Sequence, residues 1–211
     1  MSGEASSPAA AVLKRPLAAR VAMASALVVA GLIAILHVAR PDLDPSWRML
    51  SEYSVGPHGW LMKLAFFAWA IGCGSLFVAL GPATATRRAR LGRWLLLLVG
   101  LALVAAGLFD QDPMTAGAGS RHGQLHALAS LVGIPGVPIA AMLLSADARC
   151  GRIVVILANL AWLCLALMVG YVAWAMGAAG GFGPGVYAGW LNRLVVAAYL
   201  AWQFTLARRL A

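Results

Sequence analysis

Six apolar runs, each close to twenty residues, are separated by short polar segments that carry almost all of the charge in this 211-residue chain. No other feature limits the fold as strongly. A bilayer's hydrocarbon core is about 30 Å thick and takes about 20 apolar residues per helix. Hydrophobic residues make up 62% of the sequence and charged ones 11%, with a mean hydropathy of +0.85. That leaves too little polar surface for a soluble domain of this length. The expected fold is an all-α membrane protein, a bundle of six transmembrane helices over about 17–38, 59–80, 91–109, 124–144, 153–176 and 186–207. Residues 1–16, rich in Ala and Ser, read as a disordered tail, leaving 17–211 as one transmembrane domain. The exit HVARPD after the first run offers no small-x-small cleavage site, so that run reads as a span and not as a signal peptide.

The net charge of +9 invites comparison with nucleic-acid binders. Here the cations sit in short loops with no basic stripe or aromatic interleaving, which excludes that reading. Sorted by side, eleven accompany the termini: Lys14, Arg15, Arg20, Arg87, Arg88, Arg90, Arg93, Arg149, Arg152, Arg208 and Arg209. Five lie on the other side: Arg40, Arg48, Lys63, Arg121 and Arg193. The positive-inside rule then places both termini in the cytoplasm. Cys73 and Cys164 fall inside apolar runs and Cys150 in a basic loop. With no C-x-x-C and no paired outer positions, they read as small packing residues.

Five of the seven acids (Asp42, Asp44, Glu52, Asp110 and Asp112) and all four histidines (His37, His58, His122 and His126) fall on the non-cytoplasmic side. The densest part is GLFDQDPMTAGAGSRHGQLHALAS, residues 107–130. His122 and His126 are four apart at the start of a helix and share a face, which Ser130 continues. With Asp110 and Asp112 they form a candidate site for a divalent metal ion, zinc, iron and manganese fitting equally. HGQLH lacks the Glu of a zinc-protease motif. Asp110 follows Phe109 and reads as the deeper carboxylate, costly there unless paired; Asp112 before Pro113 also suits an ordinary turn. Asp110, His126 and Glu52 are the candidate acid–base residues.

Ser51, Glu52, Tyr53 and Ser54 form a second polar group. Asp44-Pro45 is a good helix start, and Trp47, Leu50 and Tyr53 then read as one face of a short interfacial helix. Asn192 and Arg193 lie in the sixth run and Lys63 in the second. With Ser51 and Tyr53 they are candidate substrate-binding residues. Arg193 is expected to pair with an acid of the cluster, to hold an anionic headgroup bidentately, or to snorkel. His37 and His58 read as interfacial residues, although His37 with His126 would be a haem-ligating pair. Asn159 reads as helix–helix glue, and Pro135 and Pro138 as bends in the fourth span.

With SEY in the first outer loop, a span ending GLFDQDP and G-x-x-H at the head of the next span, the chain resembles DUF998, a family of bacterial six-helix membrane proteins of unknown function. The resemblance covers about residues 20–207. It rests on Ser51, Glu52 and Tyr53, on Phe109, Asp110, Asp112 and Pro113, and on Gly123 and His126. The family is in turn distantly similar to the Frag1/DRAM/Sfk1 group, some members of which are linked to lipid remodelling or sorting. The resemblance implies the fold and brings no activity. Two functions fit the residues. One is a membrane-embedded enzyme acting on a lipid or lipid-linked substrate at the outer face. The other is a non-catalytic protein that binds, senses or transports a lipid or ion. Membrane lipids are the expected partners. The sequence leaves open which function holds, the ligand, the metal and the oligomeric state.

Overall fold

The computed structural model describes residues 15–81, 84, 86–115, 119–145 and 151–211. Residues 1–14 of the expected 1–16 tail, part of the 81–86 turn and the basic turn with Arg149 and Cys150 lie outside the described residues, while Pro16 already belongs to α1. Six α-helices follow one another: α1 (Pro16–Ala39), α2 (Gly59–Leu80), α3 (Arg87–Leu108), α4 (Arg121–Ser145), α5 (Arg152–Ala179) and α6 (Ala188–Leu210). A 3₁₀ turn at Leu50–Ser54 is the one other helical element among the described residues.

Local chemistry explains the boundaries. Pro16 occupies the first turn of α1, where a missing N–H costs nothing. The Thr86 hydroxyl accepts the Ala89 N–H and caps α3 at 3.1 Å. Gly180, at φ 71°, turns the chain left-handed after α5, and the Gly181 N–H returns to the Met176 carbonyl at 3.1 Å. α4 runs as helix through Pro135 and Pro138. Pro138 cannot donate to the Ile134 carbonyl four residues back. The Tyr199 hydroxyl of α6 donates to it instead, at 2.7 Å.

Each helix packs on its neighbours in sequence, and α6 returns to α1, closing a ring in which α2 also meets α6. The α4–α5 seam is the thinnest join. The ring is lined with small residues: Ala22 and Ala26 of α1, Ala140 and Ala141 of α4, Ala158 and Ala161 of α5, Ala198 of α6. Large apolar side chains such as Leu27, Leu101, Leu128, Leu163 and Trp174 face outward. This distribution suits lipid outside and close backbone approach inside. Five helices, α1 to α5, are long and apolar enough to cross a membrane, and the protein is a multi-pass membrane protein. α6 falls short because of its polar residues, of which Tyr199 and Gln203 are buried while Arg208 and Arg209 are exposed at its end. The Gln203 amide is buried and donates to the Ala22 carbonyl and Ser25 Oγ of α1, both at 3.1 Å. A Cβ on Gly72 of α2 would collide with both side chains, so three helices meet closely there. Asn159 lies on the exposed face of α5 and bonds to no other helix among the described residues, contrary to the expected glue role.

Candidate functional site

The end of the ring opposite the chain termini, the distal end, carries the 40–58, 109–120 and 180–187 connections. Arg40 organises the first of these. It is 6% exposed, and its guanidinium donates to the carbonyls of Val55 and Pro57 at 2.6 and 3.0 Å. It also holds the Asp42 carboxylate at 2.8 Å. That hydrogen bond keeps the Asp42 carboxyl below, and the Arg40 guanidinium above, their ordinary ranges. Asp44 accepts the Ser46 N–H at 2.9 Å and closes a turn. Residues 50–54 then form a 3₁₀ turn and not the expected surface helix. Leu50 and Tyr53 are buried, so the segment is tucked under the loop.

Glu52 is also buried, and both its oxygens have partners. Oε1 takes Arg48 Nη1 at 2.8 Å and the Met114 N–H at 3.2 Å. Oε2 takes the Met49 N–H at 2.8 Å. This carboxylate ties the first outer connection to the second. A candidate base in the sequence, it stands in the structure as a cross-link between loops.

Arg193 departs most from expectation. No ion pair with a carboxylate forms among the described residues. Nε donates to His37 Nε2 at 2.7 Å, Nη1 to the Arg48 and Gly189 carbonyls at 2.8 and 2.9 Å, and Nη2 to the Tyr53 hydroxyl at 3.1 Å. The five-donor fork of Arg suits such a set of neutral acceptors. His37 Nδ1 donates to the Ile33 carbonyl at 2.7 Å, which leaves Nε2 as the acceptor. Both His37 nitrogens are therefore engaged, and the haem pairing with His126 has no free ligand atom on this side. The Tyr53 hydroxyl donates on to the Leu43 carbonyl at 3.2 Å. The 45–48 backbone lies so close to α6 that a Cβ on Gly189 would strike it.

The α3–α4 corner separates the four residues considered as metal ligands. Asp110 is 43% exposed at its side chain and pairs with Lys63, Nζ lying 2.8 Å from Oδ1 and 3.1 Å from Oδ2. Lys63 thus meets the carboxylate that the sequence placed deeper. Asp112 accepts the Ser120 N–H and hydroxyl at 2.6 and 2.8 Å, and Ser120 Oγ in turn accepts the Gly123 N–H at 3.0 Å. This is the N-terminal cap of α4. The Asp112 carboxylate fills the place that a Cβ on Gly123 would need. His122 is exposed, edge-on to Phe109 with ring centroids 5.6 Å apart. His126 is 2% exposed, edge-on to Phe66, and its Nδ1 donates to the Phe109 carbonyl at 2.9 Å. Among the described residues no three His, Cys, Asp or Glu side chains converge as a ligand set. The expected metal grouping of Asp110, Asp112, His122 and His126 does not assemble, because each has a separate local task.

His126, Ser51, Asn192 and Ser130 do come together. They line a cleft of about 770 Å³ that runs from the distal loops down the α4–α5 seam. Leu131, Ile134 and Pro135 of α4 and Leu165, Met168 and Val169 of α5 form its apolar part. The same four polar residues also border a smaller pocket of about 90 Å³ lined by Phe66, Trp69 and Tyr199. Asn192 Oδ1 accepts the Leu50 N–H at 2.9 Å, which turns its amide nitrogen the other way. His126 Nε2 has no partner among the described residues. Sequence reasoning marked these four residues but missed Arg40, His37 and Ser120 as organisers. Arg40 left one signal, its place directly after a span and two residues before an acid.

No curated protein and no solved structure matches the chain. The family described as Protein of unknown function (DUF998) matches residues 22–209, and with nearly the whole helical ring inside that match, the chain belongs to the DUF998 family.

Proposed function

We propose that this protein binds a membrane amphiphile in the α4–α5 cleft, with all six helices spanning a bacterial inner membrane and both termini in the cytoplasm. The cleft is the observation that carries the reading. It follows the thinnest seam of the ring, with an apolar flank where lipid chains lie and a polar head at the distal end. Its volume of about 770 Å³ lies in the usual range for small-molecule sites, about 300–1,000 Å³. A chain would lie along Leu131, Pro135 and Val169, and a head would meet Ser51, His126 and Asn192. A photoreactive fatty-acyl lipid added to the purified protein tests this. Labelling is expected on residues 131–135 and 165–169. Equal labelling of Leu98 and Leu101 on the outer face of α3 would show only annular lipid and would remove the proposal.

A second reading, catalysis on the bound lipid, is favoured by one feature. The Phe109 carbonyl fixes the proton on His126 Nδ1, which leaves Nε2 a lone pair in a cleft also lined by the Ser51 and Ser130 hydroxyls. In that case Ser51→Ala and His126→Gln abolish turnover while the lipid still binds.

A further inference from the structure

We infer that the head of this cleft selects an uncharged, hydroxyl-bearing lipid headgroup of the acylglycerol class over an anionic phospholipid. The inference rests on the amphiphile-binding reading and adds the chemistry of the ligand.

The argument starts from charge. The residues that line the cleft include one charged side chain, Asp112, and it is negative. Of the five distal cations, Arg40 is bound to Asp42 and to backbone carbonyls, and Arg121, exposed at the first turn of α4, is not among the residues that line the cleft. Arg193 makes four hydrogen bonds to neutral acceptors. Arg48 is bound to Glu52 and lies over the Trp47 ring at 4.1 Å. Lys63 is bound to Asp110. None of these five borders the cleft. A phosphate entering it would meet a carboxylate at the rim and no cation at the head, which disfavours binding.

The hydrogen-bond pattern narrows the choice. In the neutral ring, the Nδ1–H bond to Phe109 leaves His126 Nε2 as an acceptor. His126 is 2% exposed, so a ligand O–H or N–H is the natural partner for that lone pair. Asn192 gives its oxygen to Leu50 and keeps its amide hydrogens for an acceptor. Ser51 and Ser130 can serve either way. One acceptor, one amide donor and two hydroxyls match a free hydroxyl next to an ester carbonyl. Diacylglycerol presents that pair and carries its chains in the direction of Leu131 and Val169.

The test is a titration of the purified full-length protein, in mixed micelles, with dioleoylglycerol and with dioleoyl phosphatidic acid. The two share acyl chains and differ in the head. Dioleoylglycerol is expected to bind at least about tenfold more tightly, roughly one well-made hydrogen bond together with the avoided repulsion. His126→Phe is expected to lower that affinity by about tenfold. Asn192→Asp retains the acceptor for Leu50 but loses the amide donor, and is expected to weaken dioleoylglycerol binding as well, which provides a second readout if the first variant does not fold. Equal or tighter binding of phosphatidic acid overturns the inference and leaves the cleft standing as a lipid site. So does unchanged dioleoylglycerol affinity in both folded variants. Binding of neither lipid to the wild-type protein removes the amphiphile reading itself.

Discussion

Arg193 and His126 belong to the same distal end of the ring, and they are used in opposite ways. Arg193 looked in the sequence like a ligand-binding charge. In the structure its guanidinium makes four hydrogen bonds, to α1, to the first outer connection and to its own helix. His126 makes one, to the corner that leads into its own helix, and keeps the other ring nitrogen beside a cleft. Buried charge in this bundle holds the loops together, and the capacity to bind something else sits on neutral groups. A strong charge close to hydrocarbon needs several partners to stay ionised there. An imidazole or amide can tolerate one open valence next to a cleft.

The sharpest way to break the comparison is to remove the guanidinium. Arg193→Met leaves the Arg48 carbonyl, the Tyr53 hydroxyl and His37 Nε2 without their donor. A loss of about 3 kcal/mol is expected, in the range for hydrogen bonds to a charged group. Arg193→Lys recovers less than half of it, because an ammonium cannot reproduce the planar fork. Thermal unfolding in mild detergent measures both. Unchanged melting in the Met variant would show that Arg193 is free to serve a ligand after all.

Glu52→Gln comes next. The side chain keeps one acceptor oxygen for the three donors that now reach it and loses the charge facing Arg48. A destabilisation of about 2 kcal/mol is expected, visible in the same melt and as faster proteolysis of the 40–58 connection. A variant that melts like the wild type yet loses a measurable activity would return Glu52 to the role of base.

His126→Phe should cost less, about 1 kcal/mol, since one neutral hydrogen bond is lost and a ring of similar shape still packs on Phe66. A loss as large as that of Arg193→Met would put His126 on the structural side and dissolve the contrast.

The same contrast shows which parts of the molecule the sequence could report. The helices were legible because about twenty apolar residues in lipid have one economical conformation and because polar residues punctuate them. α2 begins at Gly59 and ends at Leu80, as its apolar run does. The distal clustering of acids and histidines was also legible, as composition by side. The partners were not. Trp47, Leu50 and Tyr53 are spaced for a surface helix, and what tucks Leu50 and Tyr53 inward is Asn192 and Arg193, 142 and 140 residues along the chain. Arg193 was expected to meet an acid, an anionic headgroup or the interface, but two of its four acceptors are carbonyls, which every residue has and no motif marks, and the other two are the side chains of His37 and Tyr53, 156 and 140 residues away in the chain. The cleft depends on how loosely α4 and α5 pack, and hydrophobic periodicity within either helix carries no record of that. Pro138 hinted at a carbonyl in need of a donor without naming Tyr199.

The smallest expected effect concerns the charge pair that lies outside the contrast altogether, Arg40 and Asp42. Asp42 is 58% exposed at its side chain, so solvent screens the pair and its contribution is modest. Its sign is still fixed. The hydrogen bond from Arg40 lowers the Asp42 pKa in the folded protein. The stability it provides is therefore fully present above the ordinary aspartate range and disappears as pH falls through the lowered folded value. Asp44, whose carboxyl the Ser46 N–H also holds low, adds acid sensitivity of the same sign. Asp42→Asn isolates the first contribution. At neutral pH the variant should melt slightly below the wild type, and the gap should close as the pH is taken below the carboxylate range. Equal melting of the two proteins at neutral pH would mean that Arg40 holds the loop through the Val55 and Pro57 carbonyls alone, and that even at the rim of this end the fold depends on bonds to neutral groups.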